Sequence, residues 1–152
     1  MTVMRRVRRV LGLPLKAKGL MVETLVLLAL ARTAVLLLPF RWVARALGRE
    51  EAAASPLRNT PASTRQVRRI GWMVEKVSNN VPWTSKCLDQ ALAAKIMLAR
   101  RGYATTVRFG VKKSEHGELA AHAWLTSAGV CVTGGRTRRQ FTIINTFRDG
   151  GA

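Results

Sequence analysis

The hydrophobic period of the chain changes at Gly102, and that change constrains the fold more than any other feature of the 152 residues. Before it, apolar residues recur at helical spacing. Val67, Ile70, Val74 and Val77 share one face of a helix expected over 64–78, with Ser63 and Gln66 spaced as a capping box. "SNNVPW" closes that segment. The next helix is expected from Thr84 or Ser85 through "CLDQALAAKIMLARR", with Leu88, Ala91, Leu92, Ile96 and Ala99 as its buried stripe and Gly102 as its terminating glycine. After Gly102 the period is two: in "ATTVRFGV", Val107, Phe109 and Val111 alternate with Thr106 and Arg108. "KKSEHGE" reads as a polar turn, and "LAAHAWLTS", "VCVT" and "FTIINTF" as three further strands. The turn "AG" and the basic loop "GGRTRRQ" separate them. Helices followed by an antiparallel meander define an α+β fold.

The N-terminal third is organised differently. Leu20 to Leu38 is helical in character and rich in Leu, Val and Ala until Pro39 interrupts it, and "RWVARALG" gives a short helix ending at Gly48. The expected arrangement is an apolar helix packed on the domain and a basic amphipathic one beside it. Because the start is basic and the middle apolar, a membrane span, a signal sequence or attachment to anionic lipid over residues 1–45 are the alternatives. Glu23 and Arg32 interrupt the apolar run. "REEAAASPLRNTPAST" reads as a linker, which divides the chain into an N-terminal helical region, 1–55, and a second region, 56–152.

The formal charge of +18 predicts adhesion to anions. The charge is spread over both regions, and there is no basic stripe with interleaved aromatics or nucleic-acid-binding motif, so specific nucleic-acid recognition is not expected. The two cysteines, Cys87 and Cys131, build no disulfide framework and no zinc motif, which makes a reducing cytoplasm the simpler compartment.

Cys87 falls in the first turn of its expected helix, where free backbone N–H groups and the helix dipole favour a thiolate. A thiolate nucleophile needs a base that can later protonate a leaving amine, and histidine suits both tasks near neutral pH. His122 lies thirty-five positions later on a strand, sharing a face with Trp124 and Ala120. On these residues alone, a nucleophile–base pair and a buried thiol beside a core histidine both remain open. Cys131 is expected to be a buried strand thiol and His116 a solvated turn residue. Asp89 points about 200° from Cys87 around the helix and is an awkward partner for it.

The surrounding segments narrow the choice. "PWTSKCLDQALAAKIMLARRGYATTVRFGVKK", then "GELAAHAWL" and "VCVTGG", resemble the lasso peptide biosynthesis B-protein family, transglutaminase-like and papain-like leader peptidases, over about residues 70–147. "LLALARTAVLLLPFRWVARALG" is similar to the N-terminal region of the same proteins. The resemblance implies a cysteine peptidase with Cys87 as nucleophile and His122 as base, needing no metal or organic cofactor. The aspartate that completes the family's triad falls at Gly134, so another side chain, a backbone carbonyl or a shifted alignment must account for the third position. Asn145 and Thr133 are the polar strand candidates for it. Trp83 and Trp124 are candidates to line the cleft. Gln90 is a candidate oxyanion donor, although the backbone N–H of Cys87 serves that purpose more simply.

As implied by the resemblance, the substrate is the leader of a ribosomally made precursor, and the freed amine goes on to an ATP-using macrolactam synthetase. Nothing before residue 56 reads as a strand-rich peptide-binding module, so a separate protein with a RiPP recognition element is the expected leader-binding partner. Two other readings stand beside this one: a transglutaminase-type acyl transferase using the same Cys/His chemistry, and a non-catalytic basic protein, bound to membrane or nucleic acid, with a degenerate peptidase fold.

Overall fold

The computed structural model describes Gly12 and residues 14–50 and 61–149. Pro14 supplies the N-cap of α1 (Leu15–Leu37), and Pro39 separates it from α2 (Phe40–Leu47). A two-residue strand, β1 (Arg49–Glu50), follows. Next come α3 (Pro61–Ser78) and α4 (Cys87–Ala99), then β2 (Thr105–Lys113), β3 (Leu119–Ser127) and β4 (Val130–Thr133). A single 3-10 turn (Arg138–Gln140) leads into β5 (Thr142–Asp149). The sheet is antiparallel throughout, in the order β1-β5-β2-β3-β4. Helices followed by an antiparallel sheet, with an apolar helix at the N-terminus, make this an α+β domain.

The β3–β4 connection is Ala128–Gly129, with both φ values positive (47° and 71°), as a two-residue hairpin requires. The helical side of the sheet carries Val107 and Leu125, paired across β2 and β3 and both fully buried. They join Leu28 of α1, Leu47 of α2, Ile70 and Val74 of α3 and Met97 and Leu98 of α4 in one core. That core extends through the N-terminal helices as well as the later elements. Of the expected linker, Arg49 and Glu50 pair with β5, and positions 51–60 lie outside the described residues.

Two sequence expectations are corrected. Ile96 is not part of the buried stripe of α4 but is 36% exposed, while Ala91, Ala93, Ala94, Met97 and Leu98 are buried. The reason is that α4 packs against α1 and α3 on one side and the sheet on the other, so burial surrounds most of its circumference and selects small residues. Ser63 lies inside α3, which starts at Pro61, so the capping box does not mark the helix start. Gln66 instead accepts a 2.7 Å hydrogen bond from Tyr103 Oη.

Polar contacts hold α1 against α4 and the turn after it. Glu23 receives two hydrogen bonds from the Arg101 guanidinium, at 3.0 and 2.7 Å, and these hold its carboxyl below the ordinary 4.5 despite partial burial. Thr24 is fully buried and donates to Leu20 O at 2.7 Å. Arg32 approaches buried Asp89 at 3.6 Å.

Candidate active site

Cys87 is the first residue of α4, half-buried, at the end whose backbone N–H groups are free of intrahelical partners. The helix begins there because Asp89 folds back, its Oδ2 accepting from the Lys86 N–H at 2.9 Å. Asp89 therefore serves the helix start and Arg32, in keeping with its direction away from Cys87. Trp83, half-buried, packs against the core, and its Nε1, like Ser85 Oγ, is buried without a hydrogen-bond partner among the described residues.

His122 occupies the middle of β3, opposite Gly110 of β2. Strand alternation turns His122 and Trp124 away from the face that carries Ala123 and Leu125. The ring lies between Trp124, at a centroid distance of 5.9 Å and 26°, and Phe141, at 5.0 Å and 34°. Gly110 makes this stack possible: a Cβ there would meet Phe141 Cβ at 2.8 Å and Trp124 Cζ3 at 2.9 Å.

His122 Nε2 lies 2.8 Å from the carbonyl oxygen of Gly134. A carbonyl only accepts, so Nε2 carries the proton and donates, and the neutral ring keeps its lone pair on Nδ1. Thr137 Oγ1 stands 3.5 Å from the same Nε2. Position 134 has no room for a side chain. A Cβ would lie 2.5 Å from Ala123 O, 2.9 Å from Trp124 Cβ and 3.1 Å from His122 Nε2, on a backbone with φ +71°. At this position the chain presents a backbone carbonyl, and no acid, to the imidazole.

A cleft of about 490 Å³ opens where β4 ends. Its walls include Ser78 and Asn79 at the end of α3, Gln90 of α4, His122, and the run Cys131 to Thr137. Gln90 comes one turn after Cys87, and its Nε2 donates to Ser85 O at 3.3 Å. Cys87 itself is not in the cleft wall, and no hydrogen bond joins Cys87 to His122 among the described residues. The cleft thus brings together His122, Gln90 and Thr133. It does not include Trp83, Trp124, which is buried, or Asn145, whose Oδ1 accepts from the Thr146 N–H at 2.7 Å. Thr133 is buried, and its Oγ1 has no partner among the described residues, leaving an unpaired hydroxyl in the wall.

Cys131 departs from its expected place: it is half-buried rather than fully buried, and it lines the cleft. The β3–β4 register shifts between Leu125 and Thr126, and Cys131 is the partner of Thr126. Its Sγ–H donates to Thr133 O at 3.4 Å, and burial pushes its thiol above the ordinary 9.0 despite the opposing pull of Arg138 and Arg108. His116 is exposed, as expected. Gly134 O, Phe141 and Thr137 were not singled out as site groups in the sequence. The "GG" after "VCVT" hints at a close backbone approach, whereas the contact of Phe141 with His122 depends on a loop path that no local pattern encodes.

A helix headed by a cysteine and packed on an antiparallel sheet that carries a histidine is an arrangement consistent with a cysteine peptidase or acyl transferase fold. The family model described as the transglutaminase-like superfamily matches residues 30–146, and the chain belongs to that superfamily. The superfamily commonly contains cysteine peptidases. No curated protein and no solved structure matches the chain.

Proposed function

We propose that the protein is a cysteine peptidase that removes the leader from a lasso-peptide precursor. The observation that carries this reading is the hydrogen bond from His122 Nε2 to Gly134 O, which presents Nδ1 as the basic nitrogen of a ring held by Trp124 and Phe141. Cys87 attacks the scissile carbonyl as a thiolate, forming the C–S bond. His122 takes the thiol proton and delivers it to the leaving amine, and the free N–H groups at the start of α4 stabilise the oxyanion. Water then attacks the thioester, and the leader carboxylate leaves. The reading requires Cys87 Sγ and His122 Nδ1 to come within hydrogen-bond reach when substrate is bound, since catalytic contacts commonly tighten in the complex. The substrate is the precursor leader, presented by a recognition-element protein. The product goes to a macrolactam synthetase, and the compartment is the cytoplasm.

Cys131 supplies a second reading, because it shares the cleft with His122. Its raised thiol pKa and its bond to Thr133 O argue for an inert thiol. The test is leader release, followed by mass spectrometry, from a lasso-precursor peptide with and without the recognition-element protein. Wild type and Cys131→Ser are expected to cut, and folded Cys87→Ala and His122→Ala to fail. Cutting by Cys87→Ala together with failure of Cys131→Ser would transfer the nucleophile to Cys131. Equal cutting by all four would end the peptidase reading. Adding a primary amine tests acyl transfer, which would yield an amide in place of the acid.

A further inference from the structure

The helices of the N-terminal region carry a feature that peptide hydrolysis does not use. One face of α1, Leu20, Thr24, Leu27, Leu28 and Ala31, is buried in the core. The opposite face is also apolar: Val22, Leu25, Val26, Leu30 (58% exposed) and Leu37 (76%) stand out of the domain, continued by Leu38, Phe40 and Trp42. Scattered exposed apolar residues are ordinary, but a continuous run along a 23-residue helix about 34 Å long is not.

The charge around this face identifies what covers it. Lys16 stands exposed, with Lys18 partly so, at one end. Arg41 and Arg45 are exposed at the other, with Arg45 over the Trp42 ring at 5.3 Å. The one acid in residues 1–48 is Glu23, and it is engaged by Arg100 and Arg101. By length and composition α1 is able to cross a bilayer. Two observations argue that it lies along one instead. It is tied to α4 through Thr24 Oγ1, 3.6 Å from Met97 Sδ, and Arg32–Asp89, and to the turn after α4 through Glu23–Arg101. The basic groups also flank the apolar face at the start of α1 and on α2, and only an orientation parallel to the surface lets both reach the headgroups of a single leaflet.

We infer that the outer face of α1 and α2 docks the protein on an anionic lipid surface, with the exposed leucines and valines in the acyl boundary, Trp42 at the interface and the flanking lysines and arginines on the headgroups. The docking does not depend on the peptidase reading.

The test is co-sedimentation of the full chain with vesicles of phosphatidylcholine alone and of equal parts phosphatidylcholine and phosphatidylglycerol, at physiological salt. Binding is expected on the anionic vesicles. Val26→Glu with Leu30→Glu, both at exposed positions, is expected to weaken it about tenfold or more. Arg41→Ala and Arg45→Ala are each expected to weaken it about fivefold. Cys87→Ala is expected to bind like wild type, which separates this inference from the fate of the peptidase reading. Circular dichroism of each variant confirms folding. Absence of wild-type binding overturns the inference. Binding that the double glutamate variant retains also overturns it, since the adhesion is then of charge alone. So does a dimer, seen by analytical ultracentrifugation, that the same variant dissociates while vesicle binding is absent, because a second copy is then the occupant.

Discussion

Gly134→Ala adds one carbon at a point where three neighbours converge. The Cβ would lie 2.5 Å from Ala123 O, which is backbone within β3 and cannot turn aside, and 2.9 Å from Trp124 Cβ. The left-handed backbone, φ +71°, costs a non-glycine residue about 1–2 kcal/mol. Overpacking against fixed atoms adds about 1–3 kcal/mol. The expected loss of about 2–5 kcal/mol is a large part of the stability of a small domain. Gly135→Ala is the control: its Cβ would meet Cys131 Sγ at 3.1 Å, a side chain able to yield, and its φ is not in the left-handed region. It is expected to cost about 1 kcal/mol or less. Urea unfolding of both variants reads the difference. Nitrogen-15 NMR of wild type reads the tautomer, with the ring proton expected on Nε2. A Gly134→Ala midpoint no lower than that of Gly135→Ala, or a neutral ring protonated on Nδ1, refutes the reasoning.

Two further expectations concern charge and reactivity. The Glu23 carboxyl titrates below its ordinary 4.5 in the folded chain, so on acidification the unfolded state takes up protons first. The stability from this pair is full above that value and is lost as pH falls through the folded pKa. Glu23→Gln is therefore expected to cost about 1–2 kcal/mol at pH 7 and to flatten the acid limb of urea unfolding measured against pH. Cys131, with its thiol raised by burial, is expected in the Cys87→Ala background to alkylate more slowly than a free thiol at about pH 8, with its rate still rising with pH after that of a free thiol has levelled off. Alkylation at the free-thiol rate, followed by mass spectrometry, would count against that environment.

The change of period at Gly102 was enough to place the helices before the sheet, and β3 and β4 fall on the residues that alternation assigns. Periodicity records local burial, so it served well for α3, where Val67, Ile70, Val74 and Val77 form a single buried face. It failed for α4, because a helix buried between two layers carries no stripe, and Ile96 was assigned inward when it points out. The expected start of α4 at Thr84 or Ser85 falls two to three residues before its first residue, Cys87, within the polar stretch after Pro82. The cleft was not, because its walls come from the end of α3, from α4 and from the loop after β4, and their meeting is set by tertiary packing. Gly134 O lay beyond a reading of side chains, since a backbone carbonyl exists at every position and only the chain path shows which one faces the imidazole.

On the proposed reading, the group at Gly134 must do the work of a carboxylate. An orienting acid has two effects: it fixes the imidazole tautomer and it stabilises the imidazolium that forms in the transition state. A carbonyl achieves the first fully, because it cannot donate a hydrogen bond and so cannot select the wrong tautomer. It achieves the second only through its dipole. Restoring the charge at position 134 is closed, since an aspartate there meets the same crowding as alanine. Thr137 is the open position: it is exposed, and its Oγ1 is 3.5 Å from Nε2 while the Gly134 bond stays in place. Thr137→Asp is therefore expected to stabilise the imidazolium by about 0.5–1 kcal/mol, raising kcat for leader release roughly two- to fivefold. Thr137→Asn, of the same shape and without the charge, is expected to leave kcat unchanged. A gain shared by both variants would assign the effect to packing. A loss in Thr137→Asp alone would mean that charge beside Nε2 hinders the base, and that His122 does not become positively charged in the rate-limiting step.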